Sequence, residues 1–184
     1  GIGYNFSKEA AVDYGVRLTA DFGRSESRSP ALNGMGNIDA SPEIGAFFNY
    51  PISREFVLTS SFRYGAGNDH NGALLLLGGT YTTAIAPNWR VGAGVSANWA
   101  NSAYMQSYFG VTNAQSVTSG YAPYSPGAGL RDVRASVSVT YLMSPRLVVT
   151  GAISYDSLQG GAKDSPLAVQ PNWFSGVVAM TYGF

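Results

Sequence analysis

Residues 88–99 read NWRVGAGVSANW, and this stretch decides what kind of wall the chain builds. Trp89, Val91, Ala93, Val95, Ala97 and Trp99 fall on one parity; Arg90, Gly92, Gly94, Ser96 and Asn98 fall on the other. Successive side chains of a strand point to opposite faces, so one face here is wholly apolar and carries a tryptophan at each end. Ten strand residues span ~33 Å, and a tilt of ~40° shortens the projection to ~25 Å, the height of the apolar band on an outer-membrane barrel. Such bands are bounded by aromatic girdles, the place this pattern assigns to Trp89 and Trp99.

The scheme recurs along the chain. Alternation bounded by turn residues predicts about nine strands, near 1–8, 11–24, 42–52, 54–66, 72–86, 88–101, 127–143, 146–158 and 172–184. Val12, Tyr14, Val16, Leu18, Ala20 and Phe22 oppose Asp13, Gly15, Arg17, Thr19 and Asp21. Val133, Ala135, Val137, Val139 and Tyr141 oppose Arg134, Ser136, Ser138 and Thr140. A soluble sandwich would carry Lys and Glu on its polar face, yet the chain holds only two lysines, Lys8 and Lys163. Gly, Ser, Thr and isolated charges suit a crowded lumen. The fifth segment, ALLLLGGTYTTAI (73–85), breaks the alternation and fits the scheme least.

Composition narrows the class further. Charged residues make up 12% and aromatics 13% of 184 residues, with 11 basic and 11 acidic side chains. Zero formal charge argues against a nucleic-acid partner or a polybasic membrane-surface protein. Without cysteine there is no disulfide and no thiolate metal site, and the redox compartment stays open. The longest apolar runs, GALLLLGG (72–79) and RLVVTGAI (146–153), fall short of the ~20 residues that a spanning helix needs. A membrane crossing would therefore use a closed antiparallel barrel. No stretch reads as an amphipathic helix, no linker divides the chain, and residues 1–184 read as one barrel domain. The opening GIGYNFSK has no signal-peptide pattern, so any export signal is expected to have been removed.

Connection lengths alternate. SKEAAV (7–12), YPISRE (50–55), APNW (86–89) and MSPR (143–146) are short, while the segments near 24–42, 102–127 and 158–172 are long. Outer-membrane barrels pair tight periplasmic turns with longer external loops. Nine strands ending in the periplasm conflict with the even strand number of bacterial barrels, so an odd number of strands is expected before Gly1; three would make a barrel of about twelve. The terminal GVVAMTYGF (176–184) alternates as well and sets Tyr182 and Phe184 on the bulky apolar face, as further girdle residues.

Several stretches carry a family resemblance: LNGMGNIDASPEIGAFF (32–48), SYFGVTNAQS (107–116), YSPGAGLRDVRASVSVTYLMS (124–144), GAKDSPLAV (161–169) and VVAMTYGF (177–184). With them the chain resembles the MipA/OmpV family of outer-membrane β-barrels, which includes the MltA-interacting protein. The resemblance implies a non-enzymatic scaffold in the bacterial outer membrane that joins a lytic transglycosylase to a murein synthase. Lipid and lipopolysaccharide surround such a wall. Terminal Phe184 on an alternating strand implies an assembly signal read by the barrel-assembly machinery. A small-solute channel and an outer-surface adhesin or receptor using the long loops remain alternatives. The family brings no catalytic or cofactor residues to transfer, and no cofactor is expected.

Alternation turns Asp13, Arg17, Asp21, Glu43, Arg63, Arg90, Arg134 and Asp156 toward the lumen, four acids against four bases. Balanced signs favour mutual pairing in a narrow interior over a selective constriction. The only histidine, His70, lies in GNDHNG (67–72) beside Asp69; turn chemistry explains these residues better than catalysis, which would need a nucleophile or a second acid nearby. One histidine and no cysteine leave no zinc site. The Tyr-, Ser- and Gly-rich loop 102–127 reads equally as a binding surface or as a lid over the lumen. VGAGV (91–95) and PGAGL (126–130) lie within or entering strands and are not phosphate loops.

Overall fold

A computed structural model describes residues 1–7 and 12–183. Among them nine strands form one antiparallel meander: β1 Ile2–Asn5, β2 Asp13–Asp21, β3 Ser41–Pro51, β4 Phe56–Ala66, β5 Gly72–Ala86, β6 Trp89–Ala100, β7 Gly129–Leu142, β8 Leu147–Leu158 and β9 Asn172–Tyr182. Each strand pairs with its sequence neighbours, and β1 and β9 stand at the two ends of the order. All nine expected segments are strands; the main differences are at β1 and β2, which are trimmed by several residues. Lys8 and Ala11, where those two segments were expected to end and begin, lie outside the described residues, as does Phe184.

The two faces separate by parity. The apolar face is open: Val95 is 66% exposed, Trp89 43% and Trp99 38%, with Val16, Leu18, Ile44, Phe62, Val137 and Ile153 exposed around them. Both tryptophans of residues 88–99 stand on this surface and not in a protein core. Trp89 packs against Tyr141 of the neighbouring strand at 4.6 Å between ring centroids, and Tyr155 against Phe174 at 5.1 Å, the cross-strand aromatic pairs that hold such a sheet. A water-soluble fold would bury this much apolar surface. Here the buried side chains lie on the other face.

That polar face is concave. Flat, the sheet would hold β2 and β7 five strand spacings, or ~24 Å, apart. Yet Tyr104 bonds Arg131 of β7 at 2.8 Å while Tyr108, its ring 4.6 Å from that of Tyr104, bonds Asp21 of β2. Two nearly parallel phenols cannot cross 24 Å, so the sheet curls around them.

The short connections are tight turns with a repeated device. In ISREF the Ser53 hydroxyl accepts from the Glu55 and Phe56 amides, both at 3.1 Å. In MSPRL the Ser144 hydroxyl accepts from the Arg146 and Leu147 amides at 3.3 and 3.1 Å. A side-chain oxygen thus satisfies amides that the ladder leaves open. The long connections hold short helices, although no stretch of the sequence reads as an amphipathic helix. Helices α1 Ser102–Phe109, α2 Asn113–Ser119 and α3 Gly160–Lys163, with 3₁₀ turns Glu26–Arg28 and Pro30–Leu32, occupy them. The start signals are present in the sequence: Asn101 caps α1, and Thr112 with Gln115 forms a reciprocal capping box on α2. Both helices are too short to show a 3.6-residue apolar period, which is why pattern reading passed over them.

The irregular fifth strand acquires its reason here. Leu74 lies on the polar parity, but at the end covered by α1 and α3, where it is buried with Ala100, Met105, Leu158 and Ala162. Tyr104, Phe109, Ala168 and Trp173 pack around that cluster. The inner face is therefore apolar where a helix covers it and mostly polar elsewhere, with Phe47 and Leu76 as apolar exceptions.

Candidate functional site

The concave face and its helical cover form the candidate site. Two of the eight singled-out charges pair with two others. Arg63 meets Glu43 at 3.2 Å, and Arg134 Nε meets Asp156 at 2.5 Å. Glu43 and Asp156 are each 1% exposed, whereas Arg134 keeps its side chain 51% exposed. Thr19 donates to Glu43 at 3.2 Å, and Ser154 and Ser175 to Asp156 at 3.3 and 3.4 Å, so both buried carboxylates have several donors.

The other four are held differently. Asp13 accepts from Asn49 at 2.9 Å and Asn5 at 2.5 Å. Asp21 accepts from Tyr108 and from the Gly23 and Gly67 amides at 3.1 and 3.2 Å. Arg17 donates to Ser61. Arg90 is exposed near the short-turn end, with no ion pair among the described residues.

A third ion pair, Arg131 with Asp132, has no counterpart in the alternation argument. Neighbours in a regular strand face opposite ways, but the register between β6 and β7 shifts at Asn98 and Trp99, which pair with Asp132 and Leu130. Arg131 is the extra residue of this bulge and reaches the same side as Asp132. Asp132 also accepts from Asn98 at 2.7 Å, and Arg131 lies over the Tyr104 ring at 5.4 Å. Arg131, Asp132, Tyr104 and Tyr108 are thus site residues not singled out from the sequence, whereas Asn98 falls on the polar parity of residues 88–99. The even position of Asp132, the parity of Arg134 and Ser136, and the adjacent Arg131-Asp132 in LRDVR were the available signals.

Helix α1 spans the concave face, with Met105 1% exposed beneath it. Burial raises the Tyr108 phenol above its ordinary value, and the hydrogen bond to Asp21 and that residue's charge push it further. Burial raises Tyr104 as well, with Arg131 opposing. Both phenols therefore remain neutral, Tyr108 donating to Asp21 and Tyr104 accepting from Arg131. Burial lowers Arg24, which donates to the Tyr108 carbonyl at 2.9 Å.

The other long loops tie into this cover. Gln115 donates to the Met35 carbonyl and Thr118 to that of Gly34, both at 2.6 Å. Ser165 donates to the Phe109 carbonyl at 2.7 Å, and Tyr124 to that of Gly161 at 2.9 Å. Loop 102–127 is a folded cap over one end of the concave face. His70 sits in an exposed turn with φ 54, its amide bonded to the Gly67 carbonyl at 3.1 Å, the left-handed geometry that turn residues adopt. No group of three or more His, Asp or Glu residues capable of holding a metal ion occurs among the described residues.

Of the girdle residues, Trp89, Trp99 and Tyr182 are exposed on the apolar face. Trp173 instead lies on the polar parity opposite Asp156 and packs against the buried cluster beneath the cap.

An all-β antiparallel sheet with an exposed aromatic-edged apolar face and a paired-charge inner face is consistent with the wall of an outer-membrane β-barrel. The family model for the MltA-interacting protein, MipA, matches residues 1–184. The chain belongs to the MltA-interacting protein family, which associates it in general terms with murein remodelling. A comparison with curated proteins finds no match.

Proposed function

We propose that this chain is a non-catalytic outer-membrane scaffold that brings a lytic transglycosylase and a murein synthase to the inner side of the outer membrane. The observation that carries this reading is family membership across the full chain, in a family named for interaction with MltA. The nine strands belong to a closed barrel of about twelve, in which further strands bridge β1 and β9, because lipid tolerates no open sheet edge. Trp89, Trp99, Tyr182 and Phe184 edge the lipid band, and Phe184 is the signal for the barrel-assembly machinery. Lumenal charges serve structure rather than transport. The capped end faces outward among lipopolysaccharide, and the short turns face the periplasm.

Those turns are small, whereas a stable interface buries ~1,200 Å² or more. A murein enzyme therefore engages the barrel rim together with the turns. The test is affinity purification of the full-length native protein from solubilised envelopes, with co-purifying proteins identified by mass spectrometry. Recovery of a lytic transglycosylase and a murein synthase is expected; a full-length protein that retains neither overturns the proposal.

A further inference from the structure

We propose that Arg17, its charge held beside that of Arg63, binds a small oxyanion, a carboxylate or phosphate group, on the concave face. Arg17, Gly45 and Arg63 are direct cross-strand neighbours on β2, β3 and β4. A Cβ at Gly45 would stand 3.4 Å from Arg17 Cγ, 3.3 Å from Arg63 Cγ and 2.6 Å from the Phe62 carbonyl oxygen. Glycine at this position lets two arginine stems lie side by side over one residue. Two like charges are thereby held together on a partly buried surface.

Only one carboxylate answers them. Glu43 is in contact with Arg63 at 3.2 Å and accepts from Thr19. Arg17 has no ion-pair partner among the described residues, gives its one described side-chain hydrogen bond to Ser61, and keeps its Nε buried without an acceptor. The other acids of β2, Asp13 and Asp21, are each four residues away, ~13 Å, and are held by Asn5 with Asn49 and by Tyr108 with the Gly23 and Gly67 amides. Two guanidinium groups against one carboxylate leave a positive charge uncompensated, and an unsatisfied buried donor adds to the imbalance.

Arg17 also lines a cavity of about 570 Å³, together with Thr19, Phe47, Asn49, Ser61 and Leu76. That volume suits a small solute, with polar groups to orient it and an apolar wall of Phe47 and Leu76. Gly15 admits the wall: a Cβ there would meet the Phe47 ring at 2.8 Å. An oxyanion accepting from Arg17 would satisfy the free Nε and balance the charge, in the geometry at which guanidinium groups bind carboxylate and phosphate. Arg17, Thr19, Phe47, Asn49, Ser61 and Leu76 of the cavity lining all lie on the parity opposite the apolar face, so the anion comes from solution and not from a lipid headgroup.

The test uses the full chain folded in an uncharged detergent, titrated calorimetrically with sodium phosphate and, separately, sodium acetate. Sodium chloride at matched ionic strength is the reference. Saturable heat from phosphate or acetate is expected beyond the chloride reference. Arg17→Gln weakens binding at least tenfold, about 1.4 kcal/mol. Glu43→Gln, which removes the competing negative charge, tightens it several-fold. Heat no greater than with chloride, wild-type affinity in Arg17→Gln, or unchanged or weaker binding in Glu43→Gln each overturns the site. Glu43→Gln keeps the question decidable should Arg17→Gln fail to fold. The scaffold reading is untouched by any of these results, because enzyme capture is measured without phosphate.

Discussion

Replacing Val95 by arginine separates a lipid-facing wall from a water-facing one. Val95 is six residues from Trp89 and four from Trp99. Along a tilted strand those intervals project to ~15 and ~10 Å, which sets Val95 near the middle of the apolar band. Arginine at the midplane of a barrel costs about 2–4 kcal/mol, and near an interface only about 0–1 kcal/mol. Ile85 provides the matched control: it is 63% exposed against 66% for Val95, but its neighbours Ala84 and Ala86 pair with Arg90 and Trp89 at the short-turn rim. Val95→Arg should therefore destabilise the fold in lipid vesicles by at least ~2 kcal/mol, roughly 30-fold in the equilibrium, and Ile85→Arg by no more than about 1 kcal/mol. If water covered this face, both substitutions would stay within about 0.5 kcal/mol, as surface substitutions do. Urea titration in vesicles, followed by tryptophan emission and heat-modifiable gel mobility, measures both. Equal, small effects would refute the lipid-facing wall.

Arg134→Ala should destabilise more than Asp156→Ala, by about 3 against about 1 kcal/mol, because Asp156 is 1% exposed and would be left charged without its cation, whereas the half-exposed Arg134 rehydrates. The same urea titration checks this, and the reverse order would show that the pair is not asymmetrically buried. The raised phenols of Tyr104 and Tyr108 predict a loss of stability in alkali. Above pH ~10 the unfolded chain releases protons that the folded chain retains, so stability falls as pH rises through that range. Tyr108→Phe removes one of these groups and should flatten the slope between pH 9 and 11.5; an unchanged slope would mean that Tyr108 is not a buried neutral donor.

Parity alone was enough to sort side chains between two faces, because strand alternation is a local property of the backbone and needs no partner. It places Val95 outward and Glu43 inward whatever pairs with them. The lengths of the connections likewise show in the sequence which end is tight and which is elaborated. Register and curl belong to the tertiary structure. Glu43 takes Arg63 and leaves Arg17 to Ser61 because β2, β3 and β4 pair in one register and not another. Arg131 joins Asp132 because a bulge sets two consecutive residues on one side, which no period of two contains. Tyr108 reaches Asp21 across 87 residues of sequence only because the sheet curls beneath α1. Local geometry chooses a face for each side chain, but the partner it meets there depends on chain segments brought together from far apart.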